Sequence, residues 1–277
     1  MKQPIGFCEW VFPHVGPSSV KLAAALGADC IQVDDLGSRR KGFPLNDKYI
    51  QYAYIEAAAQ YGVKLASVGG NAAAKSGVLV KNIDGADGAE IKETLEKTIL
   101  ATAVLNAPIL MLPFFWKSYL TETDKEKIEN AVKVLRYAGI VGEAYGVTIA
   151  MESTLPAKLV LDILDKVNSD WVKVYYDLQN TVHFCNADNL GEIKTYGSLI
   201  AQIHIKDGDD KCIGGLPIGT GHARCKEALQ ALSEVGYEGP LILENDYPKY
   251  SSWAGGKSPD WFEWAKKDME LTKILMG

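Results

Sequence analysis

The sequence is poor in cysteine and histidine, has no surplus of positive charge, and contains no long apolar run. Its five cysteines, at 8, 30, 185, 212 and 225, are odd in number and include no CxxC pair, which suits a reducing compartment better than a disulfide framework. The cytoplasm is the expected location. Lys and Arg total 29 against 35 Asp and Glu, a net charge of −6. Without a positive field to release counterions from a polyphosphate, nucleic acid is not an expected partner. No stretch nears the ~18 uninterrupted apolar residues of a membrane span, and "MKQPIGFCEWVF" lacks the apolar core of an export signal. No membrane association is expected. A linker rich in Pro, Gly or Ser is also missing, so residues 1–277 read as one domain.

What is present is a repeated alternation. Eight short apolar runs recur: "IGFCEWVF", "CIQVDD", "KLASVGG", "APILMLPFF", "TIAMES", "VKVYYD", "IAQIHIKD" and "LILEND". Each is apolar on both faces, as parallel strands covered on both sides are. Helical segments lie between them; in "DKEKIENAVKVLRYAGIVGEAYG", Ile128, Val132, Leu135 and Gly139 share one stripe. Thr123 with Glu126 forms a capping-box pattern, Ser258 before Pro259 suits a helix start, and Gly62 and Gly146 suit helix ends. An open doubly wound sheet and a closed barrel both accept this order. Eight repeats with no spare segment favour α/β closure into a single (β/α)8 TIM barrel. The stretch "NAAAKSGVLVKNIDG", residues 71–85, reads as a long irregular loop over the active face.

In such a barrel the carboxyl ends of the strands form the active face. Four consecutive strands carry chemistry there: "TIAMES" ends at Glu152, "VKVYYD" at Asp177, "IAQIHIKD" holds His204, and "LILEND" holds Glu244. Singly, each suits a helix cap, a salt bridge or a satisfied core position. Converging on one mouth they would repel one another unless a cation sat between them, so one divalent metal ion is the economical expectation. Three carboxylates and one imidazole form a hard, anionic set that suits Mn²⁺, Mg²⁺ or Co²⁺, with Zn²⁺ compatible. The turn after Asp177 brings Asn180, and then His183, beside a bound molecule, although Asn180 also suits a plain turn.

Trp10, Phe12, His14, Phe114, Phe115 and Trp116 fall at or just past strand ends, where they can cover the apolar side of a bound molecule or simply serve core and subunit contacts. "SRRKG", residues 38–42, can reach a phosphate from the loop after strand two, or be a solvated basic run. "PIGTGH", residues 217–222, has a G-x-G turn but lacks the third glycine of a dinucleotide fingerprint. Asp207 is placed to orient His204, with a salt bridge as the alternative. The last helix carries Trp261, Phe262, Trp264, Met269 and Leu271, more apolar surface than one stripe needs, from which a homo-oligomer is expected.

At "IAMES", "NSDWVKVYYDLQN", "QIHIKD" and "PIGTGHARCKEALQALSEVGYEGPLILEN" the chain resembles the xylose-isomerase-like barrel superfamily, and within it the L-ribulose-5-phosphate 3-epimerase and D-tagatose 3-epimerase branch. The resemblance implies that Glu152, Asp177, His204 and Glu244 hold one divalent metal, and that Glu152 and Glu244 carry protons on opposite faces of the sugar. It relates His183 and Lys211 to substrate-contacting positions, each with an offset, since Asn180 stands where the tagatose-type enzymes have a histidine. Endonuclease IV-like members need several further histidines beyond the 4 present. The implied substrate is a small-molecule ketose or ketose phosphate. A hydrogen beside a ketone is too weakly acidic for an unaided carboxylate, so the metal would stabilise a cis-enediolate while the two glutamates invert C3. Aldose–ketose isomerisation or inosose-type dehydration on the same residues, and a non-catalytic sugar-binding barrel, are the alternatives.

Overall fold

The computed structural model describes residues 3–247 and 261–277. Eight parallel strands close in chain order: β1 (Ile5–Cys8), β2 (Cys30–Asp34), β3 (Lys64–Gly69), β4 (Ile109–Pro113), β5 (Thr148–Glu152), β6 (Val172–Asp177), β7 (Ile200–Ile205) and β8 (Leu241–Leu243). β8 pairs back onto β1 with Ile5 opposite Leu241, which leaves no sheet edge. The (β/α)8 barrel expected from the apolar runs is the fold. All carboxyl ends therefore face one way.

The strands are buried on both faces because helices pack outside them. The longest, α5 (Lys125–Tyr145), buries Ile128, Val132, Leu135 and Gly139, the stripe read from its sequence. Gly139 is needed there: a Cβ would lie 2.7 Å from Ser169 Oγ and 2.8 Å from Val172 Cγ2. Overpacking of that kind costs about 1–3 kcal/mol. Gly62 and Gly146 end α2 (Lys48–Tyr61) and α5 in left-handed conformation, as expected.

Several local expectations change. Residues 71–85 are not an irregular loop; Asn71–Ser76 forms α3, and Val78–Val80 forms a buried 3₁₀ turn. Three alanines and buried valines support packing there. Thr123 does not cap α5, since its hydroxyl meets Thr121 and Asp124 holds the cap position. The first strand stops at Cys8, and Glu9–Val11 turns as a 3₁₀ helix. The Ser258–Pro259 helix start lies outside the described residues.

The last helix, α10 (Trp261–Met276), spends its apolar surplus within the chain. Trp261 packs on Phe12 with ring centroids 5.8 Å apart, and Met269 is buried. The expected oligomer therefore draws no support from those two side chains. No described helix is long and apolar enough to cross a membrane.

Candidate active site

Register brings the predicted ligands together. Asp177 sits opposite His204 in the β6–β7 pairing, Glu152 ends β5, and Glu244 follows β8 directly. One ligand atom from each of these four side chains lies within 4.8 Å of the others. His204 Nδ1 is the hub, 3.2 Å from Glu152 Oε1, 3.3 Å from Glu244 Oε2 and 3.7 Å from Asp177 Oδ2. Three carboxylates surround one imidazole in a nearly dry pocket.

Each carboxylate is held by specific donors. Asp177 Oδ1 accepts from the backbone N–H groups of Gln179 and Asn180, both at 2.8 Å. Asn180 Nδ2 donates to Glu152 Oε1 at 3.2 Å, and Trp10 Nε1 donates to Glu244 Oε1 at 2.8 Å. Asn180 and Trp10 thus lie at the site, each bonded to one of its glutamates. Trp10 also sets its ring edge-on to His204, at 6.0 Å between centroids.

Two residues that sequence reasoning passed over complete the site. Lys206, two positions beyond His204, runs its ammonium to 2.9 Å from Asp177 Oδ2, 2.5 Å from Glu244 Oε2 and 3.3 Å from Asn180 Oδ1. Gln32, inside β2, receives His204 Nε2 on its Oε1 at 2.7 Å and the Tyr175 hydroxyl at 3.0 Å. With its amide so oriented, Gln32 keeps the hydrogen of His204 on Nε2 and turns Nδ1 toward the carboxylates.

The charges are unevenly poised. Burial pushes Glu152 and Asp177 above the usual carboxylate range, against the pull of His204 on Glu152 and of Lys206 on Asp177. Burial acts on Glu244 as well, but His204, Lys206 and the Trp10 donor outweigh it and bring that carboxyl to about 2. Burial would discharge His204; the negative charge of Glu244 and Glu152 overrides it and raises the imidazole above its ordinary value. The two glutamates therefore differ in proton affinity while sharing one site.

Other sequence-predicted residues lie elsewhere. His183 sets Nδ1 3.2 Å from the Asp209 carbonyl oxygen, on the rim rather than among the ligands. Lys211 is exposed, and among the described residues only its backbone N–H is engaged, by Asp209 Oδ1. His14 is exposed in the loop after β1. Trp116 is 54% exposed and lies under Lys75, whose ammonium is 4.8 Å from its ring centre. Phe12 and Phe114 are core residues.

Asp207 does not orient His204. Its carboxylate accepts from the N–H groups of Gly208, Gly219, Gly221 and Ala223, and so folds the loop after β7. The amides of the G-x-G turn are consumed in the process. Glu9 is another strand-end glutamate that turns away from the mouth: it accepts from Gly16 N, Ser19 Oγ, Tyr54 Oη and Asp34 N. Cys8 falls within ligand range of His204 and Glu244, but burial holds its thiol well above the ordinary value and so protonated.

The family model of the xylose isomerase-like TIM barrel matches residues 20–275. The chain belongs to that family. It is 27% identical over 268 residues to a 2-epi-5-epi-valiolone 7-phosphate 2-epimerase of Actinoplanes sp., an alignment covering 95% of this chain and 93% of that one. A probable L-ribulose-5-phosphate 3-epimerase of Mycoplasma pneumoniae is 27% identical over 157 residues, 54% of this chain and 50% of its own. Among solved structures, the D-psicose 3-epimerase of Clostridium cellulolyticum H10 superposes with a TM-score of 0.77 at 17% identity, covering 99% of both chains. The expected superfamily and an enzyme of the isomerase class stand with these matches, and the named relatives are epimerases.

Proposed function

We propose that this protein is a divalent-metal-dependent epimerase of a ketose or ketose phosphate, inverting C3, with Glu152 and Glu244 as its acid–base pair. The observation that carries it is the four-residue cluster, whose ligand atoms all fall within 4.8 Å of one another. The residues fit a metal ion on chemical grounds. Asp177 Oδ2 and Glu244 Oε2 are buried without a hydrogen bond of good geometry among the described residues, and meet Lys206 only as ion pairs. Buried oxygens of this kind suit a hard cation, and Mn²⁺ matches the set, with Mg²⁺, Co²⁺ or Zn²⁺ compatible.

Glu152, Asp177, His204 and Glu244 would hold the ion. When bound, the ion supplies a Lewis acid beside the substrate carbonyl. Glu152 and Glu244 descend from β5 and β8, strands separated by β6 and β7, so they reach a bound sugar from different sides. One removes the proton from C3 and the other returns one to the opposite face. Asn180 and Trp10 fix the two carboxylates in place through the hydrogen bonds above, and the Trp10 ring keeps water from the reacting carbon.

A second reading has its own support. The Actinoplanes relative, aligned over 95% of this chain, is a 2-epimerase of a 7-phosphate. Inversion at C2 of a cyclic ketone phosphate would use the same residues with a substrate bound in a different frame.

The test is to strip metal, add back Mn²⁺, and follow L-ribulose 5-phosphate, D-ribulose 5-phosphate and a phosphorylated cyclic ketone by proton NMR. A C3 epimer formed only with the ion is the expected product. An aldose would move the assignment to isomerisation, and inversion at C2 of a cyclic substrate alone would favour the second reading.

A prediction attaches to Gln32. If it holds Nδ1 of His204 toward the ion, Gln32→Leu should weaken Mn²⁺ binding by roughly 10–100-fold in a free-Mn²⁺ titration, with unchanged circular dichroism. Gln32→Glu, which keeps the acceptor, should restore part of that affinity. Wild-type affinity in Gln32→Leu would remove Gln32 from this role.

A further inference from the structure

The metal-ligating side chains all come from β5 to β8; the other half of the mouth, built on β1 to β4, has the opposite charge. A cleft of about 690 Å³ opens there, with Trp10 in its wall and six cations around it: Arg39, Arg40, Lys41, Lys75, Lys81 and Lys117. Trp10 joins the two halves, since the same side chain bonds Glu244. In a chain of net charge −6, this is a local inversion of sign beside the proposed reaction site.

The cations are not all occupied. Arg39 pairs with Glu93 at 3.4 Å and Lys81 with Asp87 at 3.3 Å, whereas Arg40, Lys41, Lys75 and Lys117 form no ion pair among the described residues. Three carboxylates also line the cleft, Asp34, Asp35 and Glu90, and the first two are engaged with the backbone and Asn71. Asp34 accepts from Leu36 N and Asn71 Nδ2, and Asp35 accepts from Gly37 N and Ala72 N. Their oxygens hold the segments after β2 and β3, which carry Arg39, Arg40, Lys41 and Lys75. Lys75 is further fixed by Trp116 beneath it.

We infer that this cleft is a phosphate subsite and that the substrate is a ketose phosphate, lying across the mouth with its carbonyl end at the β5–β8 carboxylates and its phosphate among Arg40, Lys75 and Lys117. This rests on the sugar epimerase reading above and goes beyond it in choosing the phosphorylated class. A flexible dianion is matched by cations on three separate segments, Arg40 after β2, Lys75 in α3 after β3 and Lys117 after β4. The division of the mouth into an anionic half and a cationic half gives an extended substrate one orientation.

Calorimetric titration of the Mn²⁺-loaded protein with ribitol 5-phosphate, ribitol and inorganic phosphate tests this without turnover, because none of the three has a carbonyl. Ribitol 5-phosphate should bind at least about tenfold more tightly than ribitol. A Lys75→Ala/Lys117→Ala protein should lose that advantage and keep its affinity for ribitol, and Arg40→Ala should lose part of it. Equal binding of ribitol with and without phosphate would overturn the subsite while leaving the sugar reading in place. Equally tight binding of inorganic phosphate and ribitol 5-phosphate, abolished in the double variant, with no binding of ribitol, would keep the anion subsite and count against the sugar. A phosphate preference unchanged in the variants, or no binding of any probe, would overturn the placement.

Discussion

A Glu244→Gln protein is expected to lose roughly 10³-fold in turnover while remaining folded, and Glu152→Gln to lose a comparable factor, within the 10²–10⁴-fold range of positioned acid–base groups. The amide preserves shape, and Trp10 Nε1 can still donate to its oxygen, so the loss isolates the proton-carrying function from packing. Because the two residues act on one proton path, the double variant should be little worse than the poorer single one. Bound Mn²⁺ is measured in the same samples, since both residues also belong to the proposed ligand set. Turnover within tenfold of wild type in either variant, on a substrate the wild-type protein epimerises, would remove that residue from the pair.

The second large effect concerns Lys206. Its ammonium lies in a buried space beside Asp177 and Glu244, and although burial would discharge it, those carboxylates hold it above the ordinary lysine range. Lys206→Met leaves Asp177 and Glu244 without that cation, a change of the class that costs roughly 3–5 kcal/mol when one partner of a buried pair is removed. In chelator the variant should therefore melt well below the wild type. Adding Mn²⁺ should recover most of the difference, because a divalent ion replaces the missing charge, and the variant should bind Mn²⁺ more tightly than the wild type. Melting curves with EDTA and with Mn²⁺ read both effects. Identical melting of the two proteins in EDTA would show that Lys206 does not balance the carboxylates.

Much of this architecture is legible in the sequence for a physical reason. Strands buried on both faces need continuous apolar runs, and the last four of the eight carry polar residues at or near their ends, so Glu152, Asp177, His204 and Glu244 announce themselves by position. What stays hidden depends on contacts across the barrel. Gln32 and His204 are 172 residues apart in sequence, and nothing local in "CIQVDD" marks Gln32 as a partner of β7. Lys206 reads as an ordinary strand-end lysine until the barrel curves it inward over Asp177. Glu9 shows the reverse: it lies inside the first apolar run of the sequence, but β1 ends at Cys8 and Glu9 anchors the loop that follows. Asp207 likewise follows the strand of His204 but turns to the backbone of its own loop. Lys75 and Lys117 lie in segments with no basic run, and only folding brings them to the "SRRKG" loop.

Solvent-deuterium incorporation tests the central claim most directly. The metal-stripped and Mn²⁺-reloaded protein is incubated in D₂O with ketoses, ketose phosphates and their C3 epimers, and the carbon that exchanges is located by NMR and mass spectrometry. The expected result is Mn²⁺-dependent deuterium at C3, accompanied by the C3 epimer and lost in Glu152→Gln and Glu244→Gln. No exchange beside the carbonyl of any of these sugars, or exchange that persists in both variants, would contradict it.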